Sequence, residues 1–504
     1  MRRLLLRFRL MHLAPALAVI ALTAWAVGTP MGSSPDDDFH LVSTWCSSAS
    51  PSANCTEGTA PNNRRVPKAL LTAICYQESP GVSAACQLKT DFDPNTTVLT
   101  DRGNFVGGYP PLFYDAMGLF VGPNILESVI VMRLVSVALF VGLTTALFVL
   151  LPRSRRPALI WGWIATTVPL GLFIIASNNP SSWAVMGVGS SWIALLGWFE
   201  TVGRRRSALG VLFALSVLIA AGSRGDGAIY ASLGIVVVLI LAFERSKRFA
   251  VSCILPLVMV GVCVYYFISA QQVISGLNGF GGANSPGVPG ATRSVSELLT
   301  YNLLNIPVLW AGVFGSFGLG WLDIAMPQLV LYGAVGAFIT VAAVGFSRLT
   351  KRKATALAIV ALALIVIPVF VLTRGSDIVG EQVQPRYILP LIVMLGGLLV
   401  LQAGRRRVQF TRGQIILVTV TLAVAQAVAL GTTMRRYITG TGFGGLNLNS
   451  GIKWWWDTPV SPMVVLAVGS LCYAGLIWIL AREVSRVIPD AVSTSAGSRA
   501  SVGS

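Results

Sequence analysis

Three adjacent carboxylates and an imidazole, Pro35-Asp36-Asp37-Asp38-Phe39-His40, form the sharpest chemical cluster in this sequence. Carboxylates side by side repel, which raises the pKa of at least one unless a cation or a donor compensates. A carboxyl raised in this way suits a general base for a sugar hydroxyl. The same spacing also reads as a polar loop in which Asp38 N-caps a following helix. At this level both readings stand.

Two arginines sit at comparable places, in Ser223-Arg224-Gly225-Asp226-Gly227 and in Gln384-Pro385-Arg386-Tyr387. Each lies at the mouth of an apolar run. An arginine there suits a lipid phosphate, because its planar fork bonds two oxygens and keeps its charge. Interfacial snorkelling is the plainer alternative. Trp454-Trp455-Trp456 beside Asp457 suits stacking on sugar or prenyl groups, or an aromatic belt. Gly440-Thr441-Gly442-Phe443-Gly444-Gly445 fits GxGxxG but follows no strand, so it is no nucleotide loop. Gly276–Gly290 is Gly/Pro-rich without a Walker lysine and reads as a flexible lid or linker. No ATP-binding signature is found.

The elements that must position these groups are membrane helices. Of 504 residues, 54% are apolar and 11% charged, and the mean hydropathy is +0.72. A soluble surface needs about 25% charged residues, so an ordinary water-soluble protein is excluded. The net charge of +17 does not signal nucleic acid, because the basic residues fall in short clusters between apolar runs. About 12 runs are long enough to cross a bilayer as helices: 10–30, 124–151, 157–176, 183–202, 208–222, 228–243, 249–270, 325–346, 354–373, 388–403, 414–434 and 460–480. Unbroken runs exclude the short alternating strands of a membrane barrel. The expected architecture is an all-α polytopic bundle over 1–488, with outer loops 31–123 and 271–324 and a disordered cytoplasmic tail over 489–504.

Arginine and lysine orient it. With the N-terminus (Arg2, Arg3, Arg7, Arg9) cytoplasmic, the inside loops carry Arg153, Arg155 and Arg156, then Arg204–Arg206, then Arg245, Lys247 and Arg248. Arg348 with Lys351–Lys353 and Arg405–Arg407 follow. The first run reads as an uncleaved helix rather than a signal peptide. Twelve crossings then place both termini in the cytoplasm. Only four acidic residues (Glu200, Glu244, Glu483 and Asp490) fall inside, and the other sixteen lie in outer loops or at outer helix ends. Solvation of large loops explains part of that bias, yet ionisable groups at helix mouths also mark function. Cys46, Cys55, Cys75 and Cys86 share loop 31–123, and an even set outside suggests bridges Cys46–Cys55 and Cys75–Cys86. Zinc is the rival, without CxxC spacing and with only His40 nearby.

The same segments carry a resemblance. Pro35–His40 is similar to the Pro-Asp-Glu-Pro-x-His that follows the first helix in the bacterial membrane protein family "domain of unknown function 2142". Gly315-Ser316-Phe317-Gly318, Trp321-Leu322-Asp323 and Pro327 resemble its Gly-Ser-Phe-Gly-Trp-Leu-Asp segment, split here by Leu319-Gly320. Gln384–Pro390 resembles its Gln-Gly-Arg-Tyr segment, with Pro385 for glycine, and Asn179-Pro180 also fits. Asp37 stands where the family prefers glutamate, and Asp38 replaces proline.

That family resembles the GT-C glycosyltransferases, whose first outer loop carries an acidic pair and whose donor is usually a polyprenyl-phosphate sugar. The resemblance implies an inverting transfer to a cell-envelope glycan or glycoprotein at the outer face of a bacterial plasma membrane. Asp36 or Asp37 would be the base, and Arg386 or Arg224 would hold the donor phosphate. Asp38, His40, Asp226, Trp321, Asp323 and Tyr387 would bind substrate. Membrane lipid is the other expected partner. A divalent metal is compatible with this chemistry but nothing in the sequence supports one. The rival class, a transporter for a lipid-linked glycan, predicts midplane charges and inverted repeats, neither of which is clear. A scaffold for other envelope enzymes is a third class.

Overall fold

The computed structural model describes residues 10–52, 54–270, 293–346, 349–402, 410–442 and 445–485. Arg2, Arg3, Arg7, Arg9, Arg348, Arg405–Arg407, the Gly276–Gly290 stretch, Phe443, Gly444 and the tail over 489–504 lie outside the described residues.

The chain is a helical membrane bundle. In order, its helices are α1 (Ala14–Val27), α2 (Asp37–Trp45), α3 (Leu112–Gly118), α4 (Ile125–Leu150), α5 (Arg156–Ile164), α6 (Leu170–Ile175), α7 (Ser181–Glu200) and α8 (Gly203–Ala221). They continue with α9 (Gly225–Ala242), α10 (Lys247–Ser269), α11 (Val295–Val313), α12 (Gln328–Phe346), α13 (Lys351–Gly375), α14 (Pro385–Val400), α15 (Arg412–Ile438) and α16 (Pro462–Ser485). Nine of these, among the described residues, are long and apolar enough to cross a membrane.

The other three expected spans differ for visible reasons. The run 157–176 divides into α5 and α6, because Pro169 has no amide hydrogen to continue the ladder. The Thr166 and Thr167 hydroxyls bond back to Gly162 O and Trp163 O at the break. The run 208–222 lies in α8, whose first turn holds Arg204–Arg206. The run 388–403 is the 16-residue α14. Within the expected loop 271–324 there is a helix, α11. A reciprocal Ser294–Glu297 capping box starts it, and Glu297, Asn302, Asn305 and Pro307 dilute its hydropathy.

α7 forms the centre, packed on α8, α9 and α14, while α1 lies against α16 and α4. Gly187 makes the first of these contacts: a Cβ there would stand 2.5 Å from Ser216 O. The basic clusters meet at one end. Arg155 pairs with Glu200 at 2.6 Å, Arg205 bonds Leu150 O, Arg248 bonds Thr201 O and Lys353 bonds Leu399 O. Arg133, two turns into α4, bonds Ala26 O at the far end of α1. Arg133 also lies 3.9 Å from Asp37, so the stretch of α4 from Arg133 to Leu150 separates that turn from the basic end by about 26 Å at 1.5 Å per residue.

Loop 31–123 is ordered. It carries α2, α3 and a small antiparallel sheet, β1 (Thr56–Glu57), β2 (Arg64–Pro67) and β3 (Thr97–Thr100), in the order β1-β2-β3 with Thr56 opposite Arg65 and Arg64 opposite Thr100. The four cysteines form Cys46–Cys55 and Cys75–Cys86, with Cα separations of 5.3 and 6.1 Å, so they hold no zinc. Cys253, Cys263 and Cys472 are free.

Candidate functional site

Between α1 and α2 the chain runs buried, and its carbonyls are met by side chains from six distant segments. Arg133 of α4 donates to Ala26 O, Thr29 O and Pro30 O at 2.8, 2.9 and 2.7 Å. Tyr76 and Gln87, each one residue after a cysteine of the second disulfide, both donate to Met31 O at 2.6 and 2.8 Å. Trp321 Nε1 donates to Gly32 O, the Tyr437 hydroxyl to Ser33 O and Asn179 Nδ2 to Pro35 O. A buried carbonyl left without a donor costs on the order of 1–3 kcal/mol, so this set fixes the path of the turn. Trp321, read as a substrate contact, spends its N–H on that backbone.

Asp36 ends the turn in a left-handed conformation, φ 60°. Aspartate tolerates that region better than most residues. It is the N-cap residue of α2, yet its carboxylate makes no cap bond. Asp38, entertained as the cap, lies inside the first turn. The Asp36 oxygens instead meet two arginines: Oδ2 takes Arg386 Nη2 at 2.7 Å and Oδ1 takes Arg102 Nη2 at 3.1 Å. Arg102 also bonds Asp38, with Nε 2.8 Å from Oδ2. Burial raises the Asp36 pKa, but Arg386 first and Arg102 after it hold the carboxyl below its ordinary value.

The neighbouring candidates separate. Asp37 is fully buried, accepts from the Ser34 hydroxyl at 2.5 Å and lies 3.9 Å from Arg133. Burial pushes it up to about 6, against the pull of Arg133 and Ser34. His40 is pushed down to about 3 by burial, with Arg386 and Arg224 adding to the effect. It is therefore neutral near pH 7, its Nδ1 3.0 Å from the Tyr114 hydroxyl.

The raised Asp37 has a sign that can be tested. Because the folded state favours its protonated form, the fold loses stability as pH rises through about 6. Asp37→Asn keeps the size and the Ser34 bonds. It should therefore gain on the wild type between about pH 4 and about pH 6, by roughly 1–3 kcal/mol at the upper end, and hold that gain at higher pH. Thermal denaturation of both proteins across that range checks this. Parallel curves would mean that Asp37 does not ionise there.

The two arginine candidates differ. Arg224 is bound as a fork to Asp226, both bonds 2.8 Å, and its guanidinium faces the Tyr387 ring at 4.4 Å. Arg386 is 3% exposed, and its Nε and Nη1 have no partner among the described residues. Its Nη2 also lies 3.1 Å from the Tyr387 hydroxyl. Arg386 is one of the residues lining a narrow, mostly apolar crevice, with Leu170, Phe173 and Ile174 of α6 and with Phe317, Leu319 and Leu322. The glycine segment folds that wall: Gly315, Gly318 and Gly320 all have positive φ, and Leu319 pairs with Ile324. The Leu319-Gly320 insertion thus forms part of a tight turn that delivers Trp321 to Gly32.

Asp323, the other carboxylate of that segment, is bound by Arg436 at 2.7 Å, and Arg436 also bonds Tyr76 O. It braces the turn from α15 rather than facing the crevice. None of Trp454, Trp455 and Trp456 lines the crevice; Trp456 Nε1 bonds Val27 O and Trp455 Nε1 bonds Val460 O. Among the described residues no group of three or more His, Cys, Asp or Glu is placed to hold a metal ion. Sequence reasoning missed Arg102, Arg436, Tyr76, Gln87 and Tyr437. It saw Arg133 only as a charge within a span.

A family model described as a predicted membrane protein (DUF2142) matches residues 19–395, from α1 into α14. No curated protein and no solved structure gives a significant match.

Proposed function

The chain belongs to the DUF2142 family of predicted membrane proteins, and from that premise we propose that it is an inverting GT-C-type glycosyltransferase. It moves a sugar from a polyprenyl-phosphate donor to a hydroxyl of a cell-envelope glycan or glycoprotein. The working face is the outer side of a bacterial plasma membrane, with both termini cytoplasmic.

The observation that carries this reading is the pairing of a partly exposed carboxylate with a buried, half-unpartnered arginine at an apolar crevice. Asp36 has 34% of its side chain exposed, against 3% for Arg386. Asp36, rather than buried Asp37, is the group a substrate can reach. In the proposed reaction the acceptor hydroxyl attacks the anomeric carbon and gives its proton to Asp36. The bond from that carbon to the phosphate oxygen breaks, and its electron pair leaves on polyprenyl phosphate. Arg386 stabilises the growing charge through Nη2 together with Nε, which has no partner without ligand. The crevice, about 10 Å³ and so wide enough for one water as it stands, would have to open to admit the first prenyl unit, and Asp37 with Arg133 holds the turn. One inverting displacement suffices, passing through an oxocarbenium-like state.

One observation favours a transporter instead. The α5–α6 break lies within the buried bundle, and discontinuous helices line many transport sites. Purified protein in liposomes, given polyprenyl-phosphate pentoses and hexoses and a hydroxyl acceptor, separates the two. Transfer predicts free polyprenyl phosphate and a glycosylated acceptor. Intact lipid-linked sugar crossing the bilayer without cleavage would establish the transporter and end the transferase proposal.

A further inference from the structure

Resting on that reading of the site, we infer that the Asp36 carboxylate occupies an anion site built by Arg102 and Arg386. A substrate phosphate would take the site by displacing this carboxylate, and the displacement would free Asp36 to act as base. Arg102 thereby becomes a second phosphate-binding residue.

The geometry supplies the first argument. The two oxygens of Asp36 sit one against each guanidinium, at 3.1 and 2.7 Å, as a bridging anion would. Arg386 is not saturated by this contact, since Nε and Nη1 remain unpartnered while buried. A carboxylate fills the site only in part, and a phosphate brings more oxygens to a fork that prefers bidentate bonds.

Charge supplies the second. The cluster holds five carboxylates (Asp36, Asp37, Asp38, Asp226 and Asp323) and five arginines (Arg102, Arg133, Arg224, Arg386 and Arg436). Five against five leaves no surplus cation inside this set, so an arriving anion gains most by replacing a carboxylate already there. Asp36 is the one most easily replaced. Its side chain is 34% exposed, whereas those of Asp37, Asp38 and Asp323 are 0%, 11% and 5% exposed. Asp226 is held as a two-bond fork. Leaving also costs α2 nothing directly, because the Asp36 side chain makes no cap bond. Arg102 is 44% exposed at the site mouth and can follow an incoming phosphate.

Displacement changes the chemistry of Asp36. The groups that act on it are Arg386 from α14, His40 from α2 and Arg102 from the segment after β3; Asp37 and Asp38 follow it in the chain, Asp38 sharing Arg102, and Tyr109, Tyr114 and Arg224 lie near. With its two arginines turned to a phosphate, Asp36 loses the partners that stabilise its charge and holds a proton more tightly. Donor binding would thus create the base that the reaction needs.

Isothermal titration of the purified full chain with farnesyl methyl phosphate, a diester of fixed single charge, tests this. Farnesol and inorganic phosphate serve as the other ligands. The wild type should bind the diester more tightly than farnesol. Asp36→Asn, which tolerates the same backbone conformation, should bind the diester about 10-fold more tightly, because the internal competitor is gone. Arg102→Gln should bind about 10-fold more weakly. Preference for the diester over inorganic phosphate identifies a lipid headgroup as the ligand, while equal binding identifies free phosphate; either keeps the site. Unchanged or weaker binding by Asp36→Asn overturns the proposal, as does unchanged binding by Arg102→Gln. The transferase reading fails separately: tighter binding in Asp36→Asn with no transfer by the wild type would leave the anion site standing without that reaction.

Discussion

Asp36→Asn should leave the protein inserted and folded while slowing transfer by about 100-fold or more, the usual scale for a lost general base. Folding is expected to survive because asparagine accepts the φ of 60° and Asp36 makes no cap bond to α2. The loss should appear in kcat rather than in donor affinity, since the phosphate contacts lie on arginines. Asp37→Asn provides the contrast. That carboxyl is fully buried and bonded to Ser34, so its loss should change kcat far less than that of Asp36. Quenched-flow or steady-state transfer with a defined donor and acceptor measures both. A double variant, Asp36→Asn with Asp37→Asn, that still transfers at a near wild-type rate would end the mechanism proposed here.

How far this site was readable from sequence depends on what each residue bonds. Asp36 stands out because three carboxylates in a row are chemically costly, and Arg386 because it opens an apolar run within a family segment. Their pairing spans 350 positions, and no periodicity reports a contact of that separation. Arg133 is visible in the sequence as a charge inside a 26-residue apolar helix that also holds Glu127 near its outer end. Its acceptors are backbone carbonyls, which carry no side-chain signature. Trp321 and Asp323 were legible as conspicuous residues but not as braces, because bracing and substrate contact use the same atoms. The fold follows the same pattern. Hydropathy locates nine long helices, since burial in lipid requires unbroken apolar runs. It misjudges 157–176, where Pro169 stops a helix inside protein rather than lipid. It also misses α11, where polar residues sit in a helix set by its cap.

Arg386→Lys should weaken donor binding by about 10-fold or more while leaving the protein folded. One nitrogen of the arginine pairs with Asp36 and meets the Tyr387 hydroxyl, and the other two are buried and unpartnered. A lysine ammonium can keep the charge opposite Asp36, so the turn should hold and the melting temperature should change little. It cannot offer the planar fork that Nη2 makes with the unpartnered Nε once a phosphate takes the place of Asp36. The expected signature is therefore a raised KM for donor with the acceptor KM unchanged, and a kcat that falls as well if the fork also stabilises the leaving group. Arg224→Lys is the matched control, because its fork is already taken up by Asp226 and it should affect donor KM much less. A lysine at 386 with wild-type donor KM, together with a loss in Arg224→Lys, would move the phosphate to Arg224 and leave Arg386 as a counter-ion to Asp36.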